Sequence, residues 1–136
     1  MEIILADNHG FCYGVKRAVE MANEAANGAG KSYTLGPIIH NPQVVGRLES
    51  KGVKPIDEVS DIDSGTMIIR SHGVGPAIYE EAENKGLNIV DATCPHVKKA
   101  QQDAKSVIED GMTLVILGEK NHPEVKSINL WANNEG

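Results

Sequence analysis

Cys12, His40, His72, Cys94 and His122 are side chains able to hold a metal or an anion, and each follows a short apolar run and precedes a helical pattern. Thiolates and imidazoles together suit a soft metal or an iron–sulfur cluster. The same imidazole N–H groups, set beside helix N-termini, suit a phosphate or diphosphate. A helix start also favours the thiolate form of cysteine, and both cysteines stand at one. Glu124 follows Pro123 in the first turn of a further helix. A carboxylate there suits proton relay and equally suits capping of the helix dipole. His9 and His96 lie beside the cysteines and read as exposed turn residues.

The elements that must position these side chains are legible as a recurring pattern. The apolar runs are Ile3-Ile4-Leu5, Tyr33-Thr34-Leu35, Met67-Ile68-Ile69, Asn88-Ile89-Val90 and Leu114-Val115-Ile116-Leu117. Short and apolar on both faces, they read as buried parallel strands. Helical periodicity is clear at Val15, Ala18, Val19, Ala22 and Ala26, and again at Val97, Ala100, Ala104, Val107 and Ile108. Pro76, Pro95 and Pro123 fit first helical turns, and glycines 30, 52, 86 and 111 fit left-handed caps past helix ends. The alternation predicts an α/β chain, a parallel sheet with flanking helices. In such sheets ligands bind beyond the carboxyl ends of the strands, which places all five Cys and His residues on one rim.

The acidic stretch 56–64 reads as a solvated connection, and Glu80, Glu81 and Glu83 as a solvated helix face. Asp91 is suited to bonding the backbone N–H groups of the loop that follows it. The pattern predicts a first α/β lobe over residues 1–92 and an incomplete second lobe over 93–136, the chain stopping soon after Trp131.

Composition narrows the function classes. A chain of 136 residues can bury roughly two-thirds of its unfolded surface, so its two cysteines are not needed as cross-links. A net charge of −6, with no run of Lys or Arg, argues against nucleic acid as a partner. No segment approaches the ~18 apolar residues of a bilayer span, so no membrane partner is expected and the cytoplasm is the default location. Neither cysteine belongs to a C-x-x-C pair, which removes zinc ribbons and thioredoxin-like motifs. A lone cysteine is otherwise a small hydrophobe.

In order and spacing, GFCYGV, LGPIIHNPQVV, RSHGVGP, VDATCPHVKK and GEKNHPEV closely resemble the LytB family, the 4-hydroxy-3-methylbut-2-enyl diphosphate reductases of isoprenoid synthesis. The match runs from Met1 to about Val125. The resemblance implies a three-lobed α/β enzyme of the non-mevalonate pathway around a [4Fe-4S] cluster held by three cysteines. It implies a two-electron, two-proton reductive dehydroxylation giving isopentenyl and dimethylallyl diphosphates, with electrons from a donor such as ferredoxin or flavodoxin. On this chain Cys12 and Cys94 match two cluster ligands, His40, His72 and His122 match the histidines that hold the diphosphate, and Glu124 matches the carboxylate that protonates the leaving hydroxyl.

Several features depart from the family pattern. The third cluster cysteine and the Ser/Asn group of the diphosphate pocket fall beyond residue 136, so the resemblance implies an incomplete and inactive portion. Ser127 and Leu130 stand where the family usually has glycine, and His96 where it usually has an apolar residue. Two other readings stay open beside this one. The first is a diphosphate-binding module without redox chemistry, and the second is a dithiol sensor in which Cys12 and Cys94 cross-link reversibly.

Overall fold

The computed structural model describes residues 1–7, 9–28 and 30–136; Asn8, beside His9, lies outside them. Helix α1 (Tyr13–Ala26) precedes strand β1 (Ser32–Leu35), which is followed by α2 (Pro42–Glu49) and β2 (Val53–Ile56). A 3-10 turn over Val59–Asp61 leads to β3 (Thr66–Ile69), α3 (Pro76–Asn84), β4 (Asn88–Asp91), α4 (Pro95–Glu109) and α5 (Pro123–Trp131). The strands form one sheet in the order β2-β1-β3-β4, with every pairing parallel. The expected α/β architecture, a parallel sheet with flanking helices, is what forms.

Strand β3 is the centre of the core. Met67, Ile68 and Ile69 are wholly buried, and alternation sends Ile68 to one face and Met67 and Ile69 to the other. On the first face α1 and α2 bring Ala18, Ala22, Val44 and Leu48 against Ile68. On the second, Val59, Ile62, Val74 and Ala82 pack on Met67 and Ile69. Full burial of each β3 side chain contributes roughly 1.5–3 kcal/mol, which fixes the register, since a one-residue slip would exchange the faces.

The register also aligns the strand ends. Ile56, Leu35, Ile69 and Asp91 are paired in one row, so the loops after β1, β3 and β4 all leave from one rim of the sheet. Each helix except α1 opens with proline in its first turn, as expected at Pro76, Pro95 and Pro123 and additionally at Pro42. Gly86 and Gly111 adopt φ of 68° and 71° just past α3 and α4, in the left-handed cap expected there. Gly30 lies farther on, because α1 ends at Ala26 with Asn27 as its cap.

Three expectations are corrected. Ile3-Ile4-Leu5 forms no strand and is 70–83% exposed, and 114–117 forms none either, with Leu117 95% exposed. An apolar run becomes a strand only where a neighbour supplies a ladder, and among the described residues nothing pairs with either. The stretch 56–64 is more than a solvated connection. Val59 and Ile62 are core residues, and Glu58 and Asp61 form a capping box around the 3-10 turn between them. Strand β2 and helix α2 escaped the reading because Lys54 and Pro55 conceal an edge strand, while α2 is only eight residues long.

With no strand leading into it, α5 is held by side-chain packing and hydrogen bonds. The Trp131 indole Nε1–H donates to the Val74 carbonyl oxygen at 2.9 Å, and a β-carbon at Gly75 would stand 2.8 Å from Leu130. Gln101 of α4 donates to the Ser127 hydroxyl at 2.6 Å, both residues being buried. Trp131→Phe keeps the aromatic packing but removes the donor. It should lower stability in urea unfolding by about 1 kcal/mol, the typical net worth of one hydrogen bond.

Candidate functional site

Beyond the strand ends, hydrogen bonding continues across the loops and ties them together. The Ser71 N–H and its hydroxyl both donate to the Ile38 carbonyl, at 3.4 and 3.3 Å, and the Ser71 carbonyl accepts from the Cys94 N–H at 2.9 Å. Ser71 thus links the loop carrying His40 to the helix start carrying Cys94, with His72 next in sequence. Asp91 accepts from the Thr93 N–H at 3.0 Å, as expected of it, and its other oxygen meets Tyr79 and Lys98. Burial and the Asp91 charge push the Tyr79 hydroxyl up to about 12, so it stays protonated as a donor.

Each of the five rim residues precedes a helix, but not always after a strand. Cys12, Cys94 and His122 are the N-cap residues of α1, α4 and α5. His40 comes just before Asn41, the N-cap of α2, whose side chain accepts from the Val44 N–H at 3.1 Å. His72 lies in the turn before α3. The lead-in to Cys12 and to His122 is irregular chain, so the expectation of five strand-to-helix loops is met at three.

His40, His72 and His122 come together. One ring nitrogen from each lies within 4.8 Å of the others, and the ring centroids are 4.6, 5.6 and 6.1 Å apart. His122 Nδ1 accepts from the Glu124 N–H at 3.3 Å, so in the neutral ring the proton sits on Nε2 and is free to donate outward. Burial, reinforced by His40, Arg70 and His122, lowers His72 to about 4, and its Nδ1 is buried without a partner. Glu124 is half-buried in the first turn of α5, where its backbone braces His122.

Cys94 packs against the first turn of α1, the helix that Cys12 opens. A β-carbon on Gly14, two residues after Cys12, would stand 2.5 Å from Cys94 Sγ. Arg17 of α1 donates to the Thr93 carbonyl at 3.2 Å, so the first turns of α1 are laid directly against the Cys94 loop. Both thiols are free, and neither side chain is consumed in capping its own helix. A cavity of about 220 Å³ lined by Phe11, Val15, Ile39, His40, Ser71 and His72 lies between the Cys12 turn and the histidines. His9 and His96 are exposed, as expected.

Against known proteins, the profile of the LytB protein family matches residues 3–136. The chain belongs to the LytB family. Among its relatives are the 4-hydroxy-3-methylbut-2-enyl diphosphate reductases of Geotalea uraniireducens, 56% identical, and Geobacter sulfurreducens, 55% identical; the match covers 97% of this chain and 47% of each relative. A solved structure of (E)-4-hydroxy-3-methyl-but-2-enyl diphosphate reductase, described as the terminal enzyme of the non-mevalonate pathway, is 46% identical with a TM-score of 0.84, covering 97% of this chain and 47% of that one. The reductase from Plasmodium falciparum superposes with a TM-score of 0.90 at 33% identity, over 95% and 41% of the two chains. The LytB chain thus spans about half the length of the relatives it matches.

Sequence reasoning missed Ser71 and Arg17 in this LytB site. Ser71 left a trace, since a small polar residue ahead of His72 is the type that bonds neighbouring backbone. The His72 environment has a measurable consequence for stability. Its folded pKa lies below the ordinary histidine value, so between pH 6.5 and about 4 the unfolded chain binds more protons. Stability should therefore fall as pH drops through that window, with a slope of at most about 1.4 kcal/mol per pH unit from this residue. His72→Asn should flatten that part of the profile in urea midpoints measured against pH.

Proposed function

We propose that this chain is the amino-terminal part of a 4-hydroxy-3-methylbut-2-enyl diphosphate reductase, with residues 1–92 as its first lobe and 93–136 as the start of a second. The observation that carries the reading is the meeting of His40, His72 and His122 from three separate helix starts, in a chain whose relatives bear that name. Imidazole N–H groups and the N-terminus of α5 would hold the substrate's diphosphate. No helix among the described residues is long and apolar enough to cross a membrane, and the proposed setting is the cytoplasm.

Cys12 and Cys94 fit two ligand positions of a [4Fe-4S] cluster, since both are free thiols at helix starts and Cys94 packs on Gly14, two residues after Cys12. Bound there, with a third ligand this chain does not supply, the cluster would deliver two electrons one at a time from a ferredoxin or flavodoxin. The substrate's C–O bond breaks and its hydroxyl leaves as water, one proton going to that oxygen and a second to the allylic carbon. Glu124, in the first turn of α5 beside His122, would supply the proton to the departing oxygen, while the histidines hold the diphosphate end.

Two measurements test this reading. Pyrophosphate at millimolar concentration should raise the melting temperature of the chain, by a free energy of about RT ln(1 + [L]/Kd). An unchanged melting temperature would remove the diphosphate pocket. In a polypeptide of the relatives' full length carrying this sequence, Glu124→Gln should lower turnover by ~10²–10⁴ while iron content and substrate affinity hold, as expected for loss of a general acid. Normal turnover in that variant would leave Glu124 as a helix cap.

A further inference from the structure

Gly14 stands in the first turn of α1, where glycine is disfavoured relative to alanine. Its backbone is ordinary helix, so conformational freedom does not explain it. What it leaves room for does. The three atoms nearest a β-carbon added there all belong to Cys94, with Sγ at 2.5 Å, Cβ at 3.1 Å and Cα at 3.9 Å. Gly14 is buried, and the Cys94 sulfur rests on its bare backbone.

Arg17 lies three residues further along, on the same face of the helix. Its Nη1 donates to the Thr93 carbonyl at 3.2 Å, and the Cys94 N–H of that same peptide donates to the Ser71 carbonyl at 2.9 Å. The peptide leading into Cys94 is thus gripped from both sides, by α1 and by the loop of His72. Among the described residues the ion pairs are Lys98–Asp91, Lys99–Asp103 and Lys105–Glu109, so the Arg17 charge is tied to no carboxylate and its guanidinium serves the loop. Deeper along α1 the core contact is made by Ala18 and Ala22, both wholly buried. Such short side chains form shallow ridges, which fix how close the helix lies and not how far it slides along its axis. The hydrogen bond from Arg17 fixes the slide.

We propose that Gly14 and Arg17 are positioning residues that set Cys12 and Cys94 at the spacing of one shared cluster, Arg17 by pinning α1 along its axis and Gly14 by seating the Cys94 sulfur on the helix that Cys12 opens. The proposal deepens the cluster reading above and rests on it. Cys12 is exposed and its thiol caps nothing, so its place follows that of the helix.

The test uses the chain itself and phenylarsine oxide, which replaces two S–H bonds by two As–S bonds and releases one water without a change of oxidation state. The wild-type chain should give a one-to-one adduct that peptide mapping assigns to Cys12 and Cys94 together, about a hundredfold tighter than in Cys12→Ser. Arg17→Met keeps the stem and removes the donors; it should weaken the adduct at least about tenfold, and Arg17→Lys should recover most of the loss. Gly14→Ala should weaken it likewise and speed alkylation of Cys94 by iodoacetamide while Cys12 reacts as before, because the sulfur leaves its seat. An alanine that merely strengthened the helix would alter neither thiol. Adduct affinity at the wild-type level in Arg17→Met or Gly14→Ala, or a loss in Arg17→Met that Arg17→Lys does not recover, overturns the positioning role and leaves the cysteine pair intact. A wild-type chain that takes the arsenical on single thiols only overturns the shared-cluster reading and this proposal with it.

Discussion

The arrangement of this molecule's rim depends on one short piece of backbone, the Ser71 peptide. Its N–H and carbonyl continue the sheet's hydrogen bonding past the last paired row, toward Ile38 on one side and Cys94 on the other. Parallel strands give their following loops a common starting edge but do not fix where those loops go. The Ser71 bridge does so, because it holds the approach to His40 and the start of α4 at one hydrogen-bond length from the turn that carries His72. Hydroxyl and amide both point at the same carbonyl, so the side chain adds to a constraint the backbone already imposes.

The third histidine arrives by a different route. His122 belongs to α5, which has no strand to lead it in and is located by what it packs on. The glycines at 73 and 75 let α5 lie against the loop before α3, and the indole of Trp131 reaches the Val74 carbonyl between them. Ser127 and Leu130 are both used in that docking, one through Gln101 and the other on Gly75. The pocket is therefore part sheet edge and part helix docking.

The sequence made legible whatever depended on local chemistry. Proline at first turns marked helix starts, periodic alanine and valine marked the buried faces of α1 and α4, and the short apolar runs at β1, β3 and β4 read as strands because they are buried on both faces. The same rule failed at Ile3-Leu5 and 114–117, since a run's composition does not reveal whether a partner strand is there to meet it. It failed in the other direction at β2, where an edge position tolerates Lys54 and Pro55. The five Cys and His residues were singled out by type and place. The role of Ser71 was not, because a serine that ties two loops by its backbone looks like any other serine.

Pro55 has a further consequence for how copies of this polypeptide can meet. The sheet has two open borders, β2 and β4, and β2 carries a ring where a strand would otherwise present another amide donor. The sheet is thus lopsided as a template. A strand added by a neighbouring molecule, as in fibre growth or domain exchange, meets a complete row of amides only along β4, and one growing side with one blocked side limits stacking to pairs.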